Sequence, residues 1–168
     1  MIEQIGIYLT SMILGIMLFF SFVIAPVIFT TLDDENARKF IRRIFPFYYI
    51  VNLVISFIVL LTFFFLSKFG IEFVLILTIT ILFAISNYYL MPLINKYRDE
   101  KQNKKFKYSH FISVLINFIQ MIFLVLLLIS LIVVEPHKHL SGKINLLLSF
   151  FLFVTSTETT WGITSPAL

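Results

Sequence analysis

Charge along this chain is confined to short stretches. No Asp, Glu, Lys or Arg occurs in residues 4–32, 44–67, 73–95 or 110–134. Each of these runs exceeds the roughly 20 residues that cross a hydrocarbon core of about 30 Å. The pattern predicts four transmembrane helices. A fifth apolar run, 144–157, ends at Glu158. At about 1.5 Å per residue it reaches only about 21 Å. Crossing would drag Glu158 toward the apolar zone, where an acid costs about 2.5–3.5 kcal/mol. The expectation is therefore a four-helix unit over residues 1–134, followed by an outer loop and an interfacial or re-entrant segment over 135–168. Glu3 stands where a signal peptide would carry a basic region, so the first helix is expected to be retained.

Composition agrees. Of 168 residues, 60% are hydrophobic and 13% charged, with a mean hydropathy of +1.00. A soluble domain carries about 25% charged residues. That shortage of solvating surface excludes a water-soluble enzyme, a disordered chain and a nucleic-acid binder, despite a net charge of +4 and a pI near 9.4. Cysteine is absent, which removes disulfides, thiolate metal sites and a Cys nucleophile.

The basic residues are placed unevenly. Arg38, Lys39, Arg42 and Arg43 follow the first run, and Lys96, Arg98, Lys101, Lys104, Lys105 and Lys107 follow the third. Only Lys68, Lys138 and Lys143 fall on the other side. The positive-inside rule then puts segments 33–43 and 96–109 in the cytoplasm as loops, with both termini outside. The expected location is the bacterial cytoplasmic membrane. The expected partners are the bilayer itself and anionic lipid headgroups at the basic loops. Six of the seven tyrosines (Tyr48, Tyr49, Tyr88, Tyr89, Tyr97 and Tyr108) gather at the same end, as an interfacial aromatic belt would.

A shift of 66 positions aligns Pro26 with Pro92, Asp33 with Asp99, and Arg38-Lys39-Phe40 with Lys104-Lys105-Phe106. Each unit reads as helix, proline, acidic-then-basic segment, helix. Two tandem hairpins of like orientation would result. Recurrence of topogenic charge explains part of the same alignment.

No ionisable residue lies deep in the four runs, which argues against a proton relay or voltage sensor. Neutral polar residues remain. On the fourth helix His110, Ser113, Asn117 and Gln120 fall within about 80° at about 100° per residue. Tyr49, Asn52 and Ser56 share a face of the second helix, and Thr80, Asn87 and Asn95 a face of the third. On the first, Tyr8, Ser11, Gly15, Phe22 and Pro26 do so. Asn52, Asn87, Asn117 and Pro26 lie at similar depth, about 10–12 Å below the basic end. Pro26 withdraws a donor from the Phe22 carbonyl. Hydrocarbon supplies no partners, so these groups should face one another. Two readings follow: interhelical glue, worth about 0.6 kcal/mol per bond, or a polar pocket open to the basic end with His110 at its mouth.

Other chemistry is thinly represented. Glu135, His137 and His139 are a weak metal motif in the outer loop. A haem would need His110 with Met17 or Met91 as its second ligand. No Ser-His-Asp, HExxH or glycine-rich phosphate motif occurs, and no cofactor is expected.

Several motifs occur in a fixed order: Ala25-Pro26-Val27-Ile28-Phe29, Ile44-Phe45-Pro46-Phe47-Tyr48, Asn87-Tyr88-Tyr89-Leu90-Met91-Pro92 with Arg98-Asp99, and Phe106 with His110-Phe111-Ile112-Ser113, Asn117 and Gln120. Over residues 6–134 the chain resembles the transmembrane protein 205-like membrane domain, also called domain of unknown function 4149. The resemblance implies a four-helix membrane protein and no defined chemistry. The functional expectation is a non-enzymatic membrane protein, acting as an interaction module or binding a small solute or lipid through its polar layer. A haem- or metal-binding redox protein using His110 is the alternative, by fold-level analogy alone.

The topology has a direct test in a cysteine-free chain. Single cysteines placed at Asn36 and Asn103 should resist a membrane-impermeant thiol reagent in intact cells. Ready labelling at either position would reverse the orientation.

Overall fold

The computed structural model describes residues 2–133, and these are all helical apart from short connections, with no strand among them. Helix α1 (Ile2–Phe19) runs through a π-helical turn (Phe20–Ile24) into α2 (Ala25–Thr31). Helix α3 (Asp34–Phe65) follows, then α4 (Ile71–Ile85), a second π-helical turn (Ser86–Leu90), α5 (Met91–Asp99) and α6 (Asn103–Val133). Stacked end to end, they make four rods, Gln4–Thr31, Asp34–Phe65, Ile71–Asp99 and Asn103–Val133, each long and apolar enough to cross a membrane. In the bundle α3 packs against α1 and α4, and α6 packs against the same two helices. The segment 135–168, and every expectation that falls on it, lies outside the described residues.

The basic segments are not loops. Helix α3 has 32 residues, about 48 Å at 1.5 Å per residue, so it exceeds the hydrocarbon thickness by several turns. Its first turns carry Arg38, Lys39, Arg42 and Arg43. Asp33 caps them, accepting the Asn36 N–H at 2.8 Å. Asp34 and Glu35 complement the positive N-terminal end of the helix dipole, and Glu35 pairs with Lys39 at 2.8 Å. At the same end α5 and α6 are joined by residues 100–102 alone. Charge made these stretches read as loops. Their capping residues and good helix formers make them helical extensions into the headgroup region. Arg42 of α3 pairs with Asp99 of α5, tying the two extensions together.

Each π turn ends two residues before a proline, Pro26 or Pro92. Ala25 N–H reaches the Phe20 carbonyl and Met91 N–H reaches the Ser86 carbonyl, five residues back in each case. Proline in a regular helix clashes with the carbonyl four residues earlier. Widening the preceding turn to i→i+5 bonding gives the ring room. Under the 66-residue shift the first π turn falls residue for residue on the second. The two hairpins therefore share a backbone irregularity as well as a sequence pattern.

Two helix ends are closed by residues with positive φ: Ser67 (54°) after α3 and Lys101 (55°) after α5. In each, two backbone N–H groups turn back onto the last helical turn. Ser67 and Lys68 bond Phe64 and Phe63, and Lys101 and Gln102 bond Arg98 and Tyr97. The core has two apolar layers. One contains Ile13, Met17, Tyr48, Tyr49, Ile55, Ile79, Phe83 and Leu124. The other, toward the Ser67 end, contains Val59, Phe63, Ile76 and Leu127.

A left-handed conformation costs an L-residue about 1–2 kcal/mol, part of which glycine's larger backbone entropy takes back. Ser67→Gly should therefore stabilise the protein by about 1 kcal/mol in thermal unfolding in detergent. A lower midpoint would contradict the helix end described here.

Candidate functional site

The polar layer is built mainly from α3 and α6. On α3, Tyr48, Tyr49, Asn52 and Ser56 are all buried, with Asn52 and Ser56 at 0% exposure. Their spacing of three and four residues keeps them on one face. Helix α6 runs parallel to α3 and presents Ser113, Asn117 and Gln120 from its own inner face. The Tyr48 hydroxyl donates to Asn117 Oδ1 at 2.9 Å. Tyr49 Oη lies 3.3 Å from Ser113 Oγ. Asn117 Nδ2 donates to Ser21 Oγ in the first π turn at 3.3 Å. Asn117 thus bridges α3 to the first rod. One helical turn further from the basic end, Gln120 Nε2 contacts the Ile79 carbonyl of α4 at 3.4 Å.

Two acceptors in this layer are left over. Asn52 Nδ2 donates to the Tyr48 carbonyl of its own helix at 2.7 Å, but Asn52 Oδ1 has no partner. Gln120 Oε1 is equally buried and equally without a partner. Both residues are completely enclosed. A bare buried acceptor forfeits about 1–3 kcal/mol of lost hydration.

Several site expectations change. Asn87 is buried in the second π turn, which packs on α3, yet it forms no bond with Asn52 or Asn117. His110 is exposed and stacks on Phe106, with centroids 5.9 Å apart and planes within 4°. It stands outside the network of Asn117 and Tyr48. Met17 is fully buried in the core while His110 is exposed. Among the described residues no group of three or more His, Asp or Glu could hold a metal. Glu135, His137 and His139 lie beyond them.

Pro26 is exposed, and its carbonyl accepts from Thr30 Oγ1 at 2.9 Å. The face expected on the first helix is split. Tyr8 and Phe22 point outward, whereas Ser11 of that face is buried, as is Thr10 beside it, and both bond carbonyls of their own helix. Of the tyrosines, Tyr88, Tyr89 and Tyr108 are exposed at the basic end, but Tyr48 and Tyr49 belong to the core. The sequence placed both in a belt, and also placed Tyr49 on one face with Asn52 and Ser56, which the structure buries. The four-residue spacing of Tyr48 from Asn52 was the signal that it shares this face. Ser21 was also missed, although the 66-residue shift places it on Asn87.

Four membrane-length helices around a buried polar layer define an integral membrane helical bundle. The family model described as domain of unknown function 4149 matches residues 8–103, and the chain belongs to that family. The match takes in Ser21, Tyr48, Tyr49, Asn52 and Asn87 and ends where α6 begins. Ser113, Asn117 and Gln120 lie beyond it. No curated protein and no solved structure matches the chain.

The network can be tested as a coupled pair. Tyr48→Phe and Asn117→Leu should be non-additive in a double-mutant cycle of thermal stability. The expected coupling is about 0.6 kcal/mol and at most about 1.7 kcal/mol, the range of buried bonds between membrane helices. Strict additivity would mean that the bond does not form.

Proposed function

We propose that the protein is a non-enzymatic binding protein of the cytoplasmic membrane, holding a small neutral solute in its polar layer. In this reading both termini face outward and the basic helix extensions face the cytoplasm, as the distribution of Lys and Arg supports. One observation carries the proposal: Asn52 Oδ1 and Gln120 Oε1 are enclosed acceptors with no donor to meet. Both have neutral oxygen chemistry, and no carboxylate stands in the layer to balance a cation. A neutral molecule with N–H or O–H donors is the ligand that chemistry fits. The hydroxyls of Tyr48, Tyr49 and Ser113 are already engaged, so they shape the layer.

The alternative of interhelical glue predicts the opposite response to mutation. Residues kept for stability lose stability when replaced. Residues kept for binding often gain it, because an apolar isostere removes a bare acceptor. Asn52→Leu and Gln120→Met should leave the thermal midpoint in detergent unchanged or raise it. At equal abundance, both should fail to complement any phenotype of the deletion strain. A drop of about 2 kcal/mol in both variants, or full complementation by both, would overturn the binding reading.

A further inference from the structure

The cations at the basic end divide into two sets. Arg38 donates to the Asp34 carbonyl at 2.8 Å, and Lys39 pairs with Glu35 at 2.8 Å. Arg42 pairs with Asp99, and Lys96 lies 4.0 Å from Glu100. Arg98 sits over the Phe106 ring at 4.5 Å and Lys105 over the Tyr97 ring at 5.5 Å. Lys101, in the connection between α5 and α6, has no such partner among the described residues and heads no helical stripe; nor have Arg43, Lys104 and Lys107, and all three of these are exposed on helices.

These three share a setting that the paired cations lack. On α3, Arg43 heads an outward stripe continued by Phe47, Ile50 and Val54, with Phe40 on its other side. On α6, Lys104 and Lys107 head a stripe of Tyr108, Phe111, Leu115 and Phe118. All these apolar residues are exposed at spacings of three and four, so each stripe is a strip of bundle surface that faces lipid. The bonds Tyr49–Ser113 and Tyr48–Asn117 fix the register of the parallel pair α3 and α6. By that register, Arg43 and Lys107 stand within about one helical turn, about 5.4 Å, of the same height. Two unpartnered cations on different helices therefore lie at one level, each directly above a lipid-facing stripe. That is the level of a phosphate whose acyl chain lies along the stripe.

We propose that Arg43, Lys104 and Lys107 are headgroup sites for anionic phospholipid in the leaflet at the basic end. The guanidinium and ammonium groups meet the phosphate while the exposed aromatic stripe receives the chain. Cations of this kind attract anionic lipid by roughly five-fold each near a membrane surface. The paired cations contribute less, because their charge is already matched or turned onto a ring. This inference is independent of the solute reading of the polar layer.

The test uses the full chain in nanodiscs of phosphatidylcholine with or without phosphatidylglycerol, where cellular orientation plays no part. Native mass spectrometry should show phosphatidylglycerol retained on the protein in excess of its share of the bilayer. The triple variant R43Q/K104Q/K107Q should lose most of that excess, and each single variant should lose part of it. The control R38Q/K39Q/K96Q removes the same formal charge from paired positions and should keep it. No phosphatidylglycerol excess in the wild type, or equal loss in the triple variant and the control, would overturn the assignment.

Discussion

Hydrocarbon offers no hydrogen bonds, and that constraint decides where every polar group of this protein goes. Among the described residues, charged side chains collect at the helix ends and in the short connections. Hydroxyl side chains inside turn back on their own backbone, as Thr10, Ser11, Ser56 and Thr80 do. Carboxamides have too many atoms for that solution. Asn117 meets the demand by spanning three elements. Asn52 and Gln120 each satisfy the amide nitrogen and leave the oxygen bare. The proposed binding role rests on that remainder, because a buried acceptor left unmet in a native fold calls for an explanation.

The same constraint bears on Pro26 and Pro92. Each breaks the backbone ladder inside a membrane-length rod, where a lost bond has no water to replace it. A π turn ahead of each of these two reroutes the bonding through the Phe20 and Ser86 carbonyls, whereas Pro46 stands inside α3 without one. The detour carries Ser21 and Asn87 at matched positions of the two turns. One of them has become a partner of Asn117, while the other is buried beside α3 without an equivalent bond. The two hairpins share a frame but differ in how they close the polar layer.

Much of this was legible in the sequence because charge and hydropathy act over whole segments. The four spans follow from runs without charge. The inward faces of α3 and α4 follow from Asn52, Ser56 and Thr80, which have no good place against lipid. Individual directions were harder to read. A helical wheel gives the angle of His110 relative to Asn117, but not whether a neighbouring helix stands at that height, and at His110 the side chain is exposed. On the first helix, Tyr8 and Phe22 joined a nominal polar face, yet an aromatic ring is at home against lipid. Tyr48 and Tyr49 had the opposite fate, because the hydrogen-bond partners that make their burial tolerable lie on α6, more than sixty residues away. The basic segments were misread as loops because hydration and helicity are separate properties of the same residues.

The central claim is that the bundle encloses acceptors meant for something other than the protein. An experimental density map of the full chain in lipid nanodiscs tests it most directly, at a resolution that shows ordered small molecules. The account predicts non-protein density within about 3 Å of Asn52 Oδ1 and Gln120 Oε1. A map in which both oxygens accept from side chains or backbone of the protein itself, with no density between them and the surrounding helices, would contradict it.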